Sequence, residues 1–475
     1  MGSIRFGSRA GRWILVATIL ASGMSMLDAT VVSIALPRIG QELGADFAGL
    51  QWVVTGYALT LASFLLLGGA LGDRYGRRRV FLAGTIWFAA ASVLCAAAPS
   101  IGWLVAGRML QGTGGALLAP GSLAIISASF DPGDRGKAVG AWSGLGGIAT
   151  AVGPFLGGWL VQASWRWIFL LNLPVAAAVV AASLRHVPES RDETATAAPD
   201  LPGALAAAVG LGALTYGLTA KAWAYAGIGA VALAVFVGIE ARGRHPMLPL
   251  TTFANRVFRA VNALTFVVYG ALAMSLFFVA LVLQVSLGYS PLAAGAATFP
   301  ITLIMLLLSS PSGALAQRVG ARLPLSAGTL LVGAGLGLLT SIAPGRPYTT
   351  AVLPGLVVFG LGLALTVAPL TATVLASADP RHAGVASAVN NAVARVAGLL
   401  AVAAIPLMTG FDPGGPVPAD ALLAGFRRVT LVAAGACVAG AVFAFAALRD
   451  PTRVPCDRAF KCPLDAPPLE LADTG

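Results

Sequence analysis

The sequence predicts an all-α membrane protein with fourteen transmembrane helices, and three observations carry that expectation. Of the 475 residues, 57% are hydrophobic and only 10% are charged, whereas soluble domains carry about 25% charged residues. The apolar residues gather into fourteen runs, each near the roughly 20 residues that a helix needs to cross the hydrocarbon. The Lys and Arg residues fall between those runs and crowd onto one side. The net charge of +11 therefore reads as topology, and no nucleic-acid partner is expected.

The runs lie near 12–36, 50–71, 80–98, 101–128, 138–161, 167–184, 201–219, 224–240, 259–283, 291–315, 322–342, 350–375, 386–408 and 427–448. The first begins at Trp13 and lacks the small-residue cleavage site that would close a short apolar stretch, so it is expected to remain as a span. Gly and Ala recur inside the runs, where small side chains let helix backbones approach in lipid. With the N-terminus placed in the cytoplasm, 22 of the 30 Lys and Arg lie in loops on that side. Six lie opposite (Arg38, Arg166, Lys221, Arg346, Arg427 and Arg428), and Arg108 and Arg395 remain inside runs. This asymmetry follows the positive-inside rule. It predicts a multi-pass protein of the cytoplasmic membrane with both termini inside.

A repeat is hidden in the loops. "GALGDRYGRRR" begins at Gly69 and "GALAQRVGAR" at Gly313, 244 residues later. Two six-helix halves with two helices inserted between them account for that offset, and parallel repeats of this kind are a transporter layout. The expected division is a first half over 1–190, a polar linker with the two inserted helices over 191–245, a second half over 246–450, and a cytoplasmic tail over 451–475.

"GDRYGRRR" resembles the signature loop between the second and third helices of the major facilitator superfamily. "LDATVVSIALP", "QWVVTGYALT", "LVAGRMLQGTGGALLAP", "GLGGIATAVGPFLGGWLV" and "SWRWIFLLNLP" resemble, in order, motifs of its fourteen-helix drug:proton antiporter family. "GVASAVNNAVARVAG" resembles that family's penultimate helix. The resemblance implies the major facilitator fold, export of drugs or natural products by alternating access, and protons as the coupling ion. An importer of a small metabolite on the same fold is the alternative. Small organic substrates, protons and the lipid bilayer are the expected partners of a monomer that is not an enzyme.

Asp28 is the one acid placed mid-span, where an ionisable group costs about 2.5–3.5 kcal/mol on insertion scales. Burial disfavours the charged form of a carboxyl, which gives a proton carrier its leverage; a structural carboxylate held in a permanent pair is the other reading. Arg108 lies in the fourth run with Gln111 three residues on, on one helix face. The resemblance makes this Arg a partner in proton coupling, and an interhelical brace is the plainer role. Arg395 lies in the thirteenth run near Asn390 and Asn391, either in contact with substrate or low enough to reach the cytoplasmic interface.

Other polar groups in the runs are expected to line a cavity: Gln51, Thr55, Tyr57, Trp142, Asn262, Tyr269 and Gln284, with Gln111 and Asn390. An apolar, aromatic pocket with a few hydrogen-bonding groups suits amphipathic organic molecules. The second half lacks a matching acid, since counting 244 residues on from Asp28 reaches Leu272. That points toward neutral or anionic lipophilic substrates.

The fifth run carries small residues at a spacing of three or four, interrupted by Pro154, and predicts a smooth face for sliding contact. Within it, Gly147, Gly153, Pro154, Gly157 and Gly158 match the motif that the resemblance ties to antiport. In the second loop Gly69 and Gly76 suit a tight turn. The resemblance makes Asp73, Arg74 and Arg77 part of a latch on the cytoplasmic side, weaker in the second copy where Gln317 replaces the Asp.

His186, His245 and His382 are expected in cytoplasmic loops, so no histidine relay is predicted. No Walker A sequence is present, and Cys95, Cys437, Cys456 and Cys462 form at most half a metal site. No cofactor and no metal are expected.

Overall fold

The computed structural model describes residues 4–191, 200–243, 247–248, 250–377, 383–412, 414–415 and 417–448. His245, His382, the residues beyond 448 and the surroundings of Gly147 lie outside them. Among the described residues the only β pairing is an isolated bridge between Ile4 and Phe130.

Among the described residues, fourteen helices of span length follow one another. They are α1 (Arg9–Leu43), α2 (Phe47–Tyr75), α3 (Arg77–Ala96), α4 (Ile101–Ser129), α5 (Pro132–Ala163), α6 (Trp167–His186), α7 (Leu201–Thr219), α8 (Trp223–Arg242), α9 (Arg256–Ser286), α10 (Pro291–Val319), α11 (Arg322–Leu339), α12 (Leu353–Ala376), α13 (Gly384–Thr409) and α14 (Ala419–Ala447). Capping explains several starts, because a side-chain oxygen satisfies a backbone donor left free in the first turn. Ser8, Asp46, Ser100, Asp200, Asn255 and Ser290 each do so.

Four runs read as continuous contain breaks. The helix is interrupted at Leu171 in α6, at Thr298 in α10, at Val352 just before α12 and at Ala404 in α13. In α10 and α13 a proline, Pro300 or Pro406, opens the next piece, where its missing N–H is not needed. α9 ends in a π-helical turn, Val282–Ser286, that contains Gln284. His186 is the last residue of α6 rather than a loop residue, and its ring stacks on Trp13.

The halves share one packing plan. α1 packs on α5 and α6 as α9 packs on α13 and α14, and α4 lies against α2 and α3 as α12 lies against α10 and α11. The repeated loop is equivalent in backbone too: Gly76 has φ 111° and Gly320, 244 residues on, has φ 92°. Both values favour glycine because no Cβ is present to clash. Gly69, by contrast, is an ordinary residue within α2, facing Pro120 of α4, and makes no turn. The inserted helices α7 and α8 form a hairpin, with α7 against α2 and α13.

The halves meet through α5 with α10, α2 with α13 and α1 with α9. These contacts tighten at the end carrying the α1–α2 and α9–α10 loops. There Gln51 Nε2 donates to the carbonyl of Val402 at 2.7 Å, and Gln284 Nε2 donates to that of Ile34 at 3.0 Å. Phe47 packs edge-on against Phe277 and Phe411. The backbones of α5 and α10 touch so closely that a Cβ on Gly158 would strike Pro291, and one on Gly295 would strike Pro154. Further along α5, toward the end that bears the N-terminus, Gly140 and Gly144 face open space. The smooth face of α5 is therefore in use along one half of its length only. The halves are thus in close contact at the loop end, whereas among the described residues α5 has no neighbour against Gly140 and Gly144 toward the terminus end.

Candidate functional site

α1, α3, α4 and α6 converge on a polar knot in an otherwise apolar interior. Asp28 and Arg108 are each 1% exposed and form an ion pair, Nη1 to Oδ2, at 2.5 Å. Gln111 Nε2 donates to Asp28 Oδ1 at 2.9 Å, and Asn172 Nδ2 donates to the same oxygen at 3.2 Å. Both amides also donate to Ser92 Oγ, at 2.9 Å and 3.2 Å. Arg108 also donates to the backbone of α2, through Nε to the carbonyl of Val53 at 3.1 Å, and through Nη1 to Gln111 Oε1. Its guanidinium lies 4.3 Å from the centre of the Tyr57 ring, an arrangement that favours the cation electrostatically.

Helix periodicity explains half of this. Arg108 and Gln111 share a face of α4 three residues apart, so one turn delivers both to Asp28. α1 and α5 approach closely because Gly153 and Gly157 lie against Thr30 and Val31. Sequence reasoning missed Asn172 and Ser92. Asn172 stood within a quoted motif, but a single amide at the start of an apolar run carries no sign of its partner, and a lone Ser carries less.

The chemistry follows from saturation. Asp28 accepts from three side chains and Arg108 reaches four neighbours, so the ionised pair is well satisfied away from water. A neighbouring cation favours the ionised carboxyl. Protonating Asp28 would leave a guanidinium buried with its counter-charge removed, and breaking such a pair costs about 3–5 kcal/mol.

The remaining expected cavity residues divide. Gln51 is fully buried at the closed end, and Gln284 reaches across the same contact, so both bridge the halves instead of lining an open cavity. Gln111 belongs to the ion-pair knot. Thr55 donates to the carbonyl of Gln51 in its own helix. Trp142 Nε1 donates to Ser22 Oγ at 3.1 Å, and Tyr57 pairs with Ser25 through its hydroxyl at 2.8 Å. In the second half Asn390 Nδ2 donates to Asn262 Oδ1 at 3.1 Å and to Thr265 Oγ1 at 2.7 Å. Asn391 is exposed, and Arg395 and Tyr269 are half-buried.

In the second loop Asp73 pairs with Arg77 at 2.7 Å within one turn. Arg78 donates to Glu189 Oε1 through its backbone and to the carbonyl of Val187 through its side chain. These contacts stay inside the first half. Glu240, read as a span-end acid, is buried and accepts from the backbone of Leu248. Among the described residues no group of three or more His, Cys, Asp or Glu is placed to hold a metal ion.

The sequence model of the Major Facilitator Superfamily matches residues 18–402. The chain belongs to the Major Facilitator Superfamily. It is 37% identical to the puromycin resistance protein of Streptomyces alboniger, over 82% of this chain and 80% of that protein. It is 34% identical to the tetracenomycin C resistance and export protein of Streptomyces glaucescens, over 87% and 78% respectively. A multidrug resistance protein of Mycobacterium tuberculosis is 37% identical over 80% of this chain and 72% of that one. These relatives place the chain with the drug-efflux members of the superfamily. Solved structures share the fold: a D-xylose–proton symporter superposes with a TM-score of 0.63 at 15% identity, over 92% of this chain and 98% of the other. An inward-facing bacterial homologue of the human lysosomal transporter Spinster gives 0.66 at 18% identity, over 93% and 98%.

Proposed function

We propose that this protein exports amphipathic organic compounds, drugs or natural products among them, in exchange for protons carried by Asp28. The relatives named for resistance and export support the direction. One observation carries the coupling: a saturated Asp28–Arg108 pair, sealed from water, in a bundle whose halves are in close contact at the loop end.

With both termini in the cytoplasm of a bacterial cell, the opposite end, where Gly140 and Gly144 face open space, faces inward. The sealed ion pair is then the state left after a proton has gone to the cytoplasm, ready for substrate. Closing the inner end around substrate loosens α1 from α4, and the outward-facing form lets Asp28 take a proton from outside. The loop contacts of Asp73 and Arg77 would regroup across the halves to hold the inner end shut. Each inward charge contributes about 2.3 kcal/mol per 100 mV, and each pH unit about 1.4 kcal/mol. The protein would work as a monomer in the cytoplasmic membrane, with no cofactor beyond the coupling ion and with substrate contacts drawn from Tyr57, Trp142, Tyr269, Asn391 and Arg395.

Everted membrane vesicles holding an imposed ΔpH test this, with puromycin and tetracenomycin C among the probes. Addition of a substrate is expected to dissipate the gradient in the natural protein and not in Asp28→Asn. Uptake into whole cells without proton movement would instead favour an importer.

A further inference from the structure

Three charged side chains lie well inside the spans, and two of them cancel. Asp28 and Arg108 neutralise each other completely. Arg395, in the middle of α13, has no carboxylate within ion-pair distance and no hydrogen bond among the described residues, and it is only half-buried. A guanidinium stays charged at any working pH. A cation at membrane depth without a partner faces a water-filled cavity and marks a substrate path.

Its place in the fold narrows the role. α13 packs on α2, which carries Tyr57, and on α9, which carries Tyr269. Three residues before it, Ala392 packs against the cluster containing Tyr57 and Trp142, and one after it Val396 packs against α2 and α7 residues. Four residues before it, on the same face, Asn391 is exposed. Arg395 therefore lies on a helix that packs against the first half through α2, with Asn391 one turn away and with Tyr57 and Tyr269 carried on the two helices beside it.

We infer that Arg395 is the anchor for a negatively charged group, and that the preferred cargo is an amphipathic organic anion with an aromatic body carrying a carboxylate or acidic phenol. This rests on the exporter reading above. The planar fork of Arg matches a carboxylate through two parallel hydrogen bonds, Asn391 adds a donor, and the half-buried Tyr269 and Trp142 supply ring surface. A cationic cargo would meet a fixed like charge and no free acid. The bookkeeping of charge agrees: one anion leaving and one proton entering move two positive charges inward per cycle, so the membrane potential drives both movements. A neutral cargo would move one charge and a monovalent cation none.

The test uses the full-length protein in lipid nanodiscs and a matched series: 1-naphthylacetate, its amide, and 2-(1-naphthyl)ethylamine. The anion is expected to bind at least tenfold more tightly than the amide. Arg395→Gln should erase that preference by weakening the anion at least tenfold, with an unchanged thermal unfolding midpoint showing that the variant is folded, and Arg395→Lys should restore part of it. Absence of an anion preference in the natural protein, or its survival in Arg395→Gln, would overturn the inference. Failure of the exporter reading is separate: it appears as no substrate-dependent proton movement with any probe in the natural protein, whatever the binding order.

Discussion

In the first half, α1, α3, α4 and α6 close around an acid and a base with three polar side chains to satisfy them. In the second half, which repeats the same helix packing, α9 and α13 meet through Asn262, Thr265 and Asn390 without any charge. Leu272 stands where the repeat would put a second Asp28. Duplication thus preserved the scaffold and left the ionisable pair on one side only. A charge inside a bilayer is costly, and one site able to hold a proton is enough to couple a cycle. The second half instead contributes Arg395, so one half holds an arginine paired with a carboxylate and the other an arginine without one among the described residues.

The largest expected effect breaks the charged knot. Asp28→Asn strands Arg108, at a cost of about 3–5 kcal/mol, seen as a clear fall in the thermal unfolding midpoint in detergent. Adding Arg108→Gln should recover most of that stability without recovering proton-driven transport. The matching change in the neutral knot, Asn390→Ala, should cost less, about 1–3 kcal/mol for the partners it leaves buried, with proton dependence intact. Equal losses in the two halves would erase the comparison.

The closed end gives the next contrast. Gly158→Val puts side-chain atoms into the backbone of α10, and is expected to hold the loop end apart and stop turnover in a protein that still folds. Spin labels on α5 and α10 would read a longer distance at that end. Removing the amide bridges in Gln51→Ala or Gln284→Ala should be milder, about 1 kcal/mol each, which moves the balance of states roughly fivefold. The smallest effect is expected at the partly exposed Asp73–Arg77 pair. Asp73→Asn should cost under about 1 kcal/mol in this state, by the same unfolding measurement.

Much of this was legible in the residues. The span count followed from hydropathy and the basic loops, and the duplicated motif led directly to Gly76 and Gly320, which share a backbone conformation. Asp28 stood out because a mid-span acid has few uses, and Arg108 with Gln111 followed from one helix face. The partners from other helices did not. Gln51 and Gln284 were expected in a cavity because a polar group in a span either lines water or bridges helices, and one sequence does not separate these. The two differ only in which backbone arrives opposite, here the carbonyls of Val402 and Ile34. Gly69 read as a turn residue for the same reason: its neighbour Pro120 belongs to another helix.

The coupling role proposed for Asp28 is tested most directly by uphill transport in proteoliposomes of the purified protein, with an imposed ΔpH and a transported probe followed over time. The natural protein should concentrate the probe, whereas Asp28→Asn should only equilibrate it, retaining exchange of probe for probe. Concentration by the asparagine variant, with the same dependence on the proton gradient, would show that the proton travels by another route.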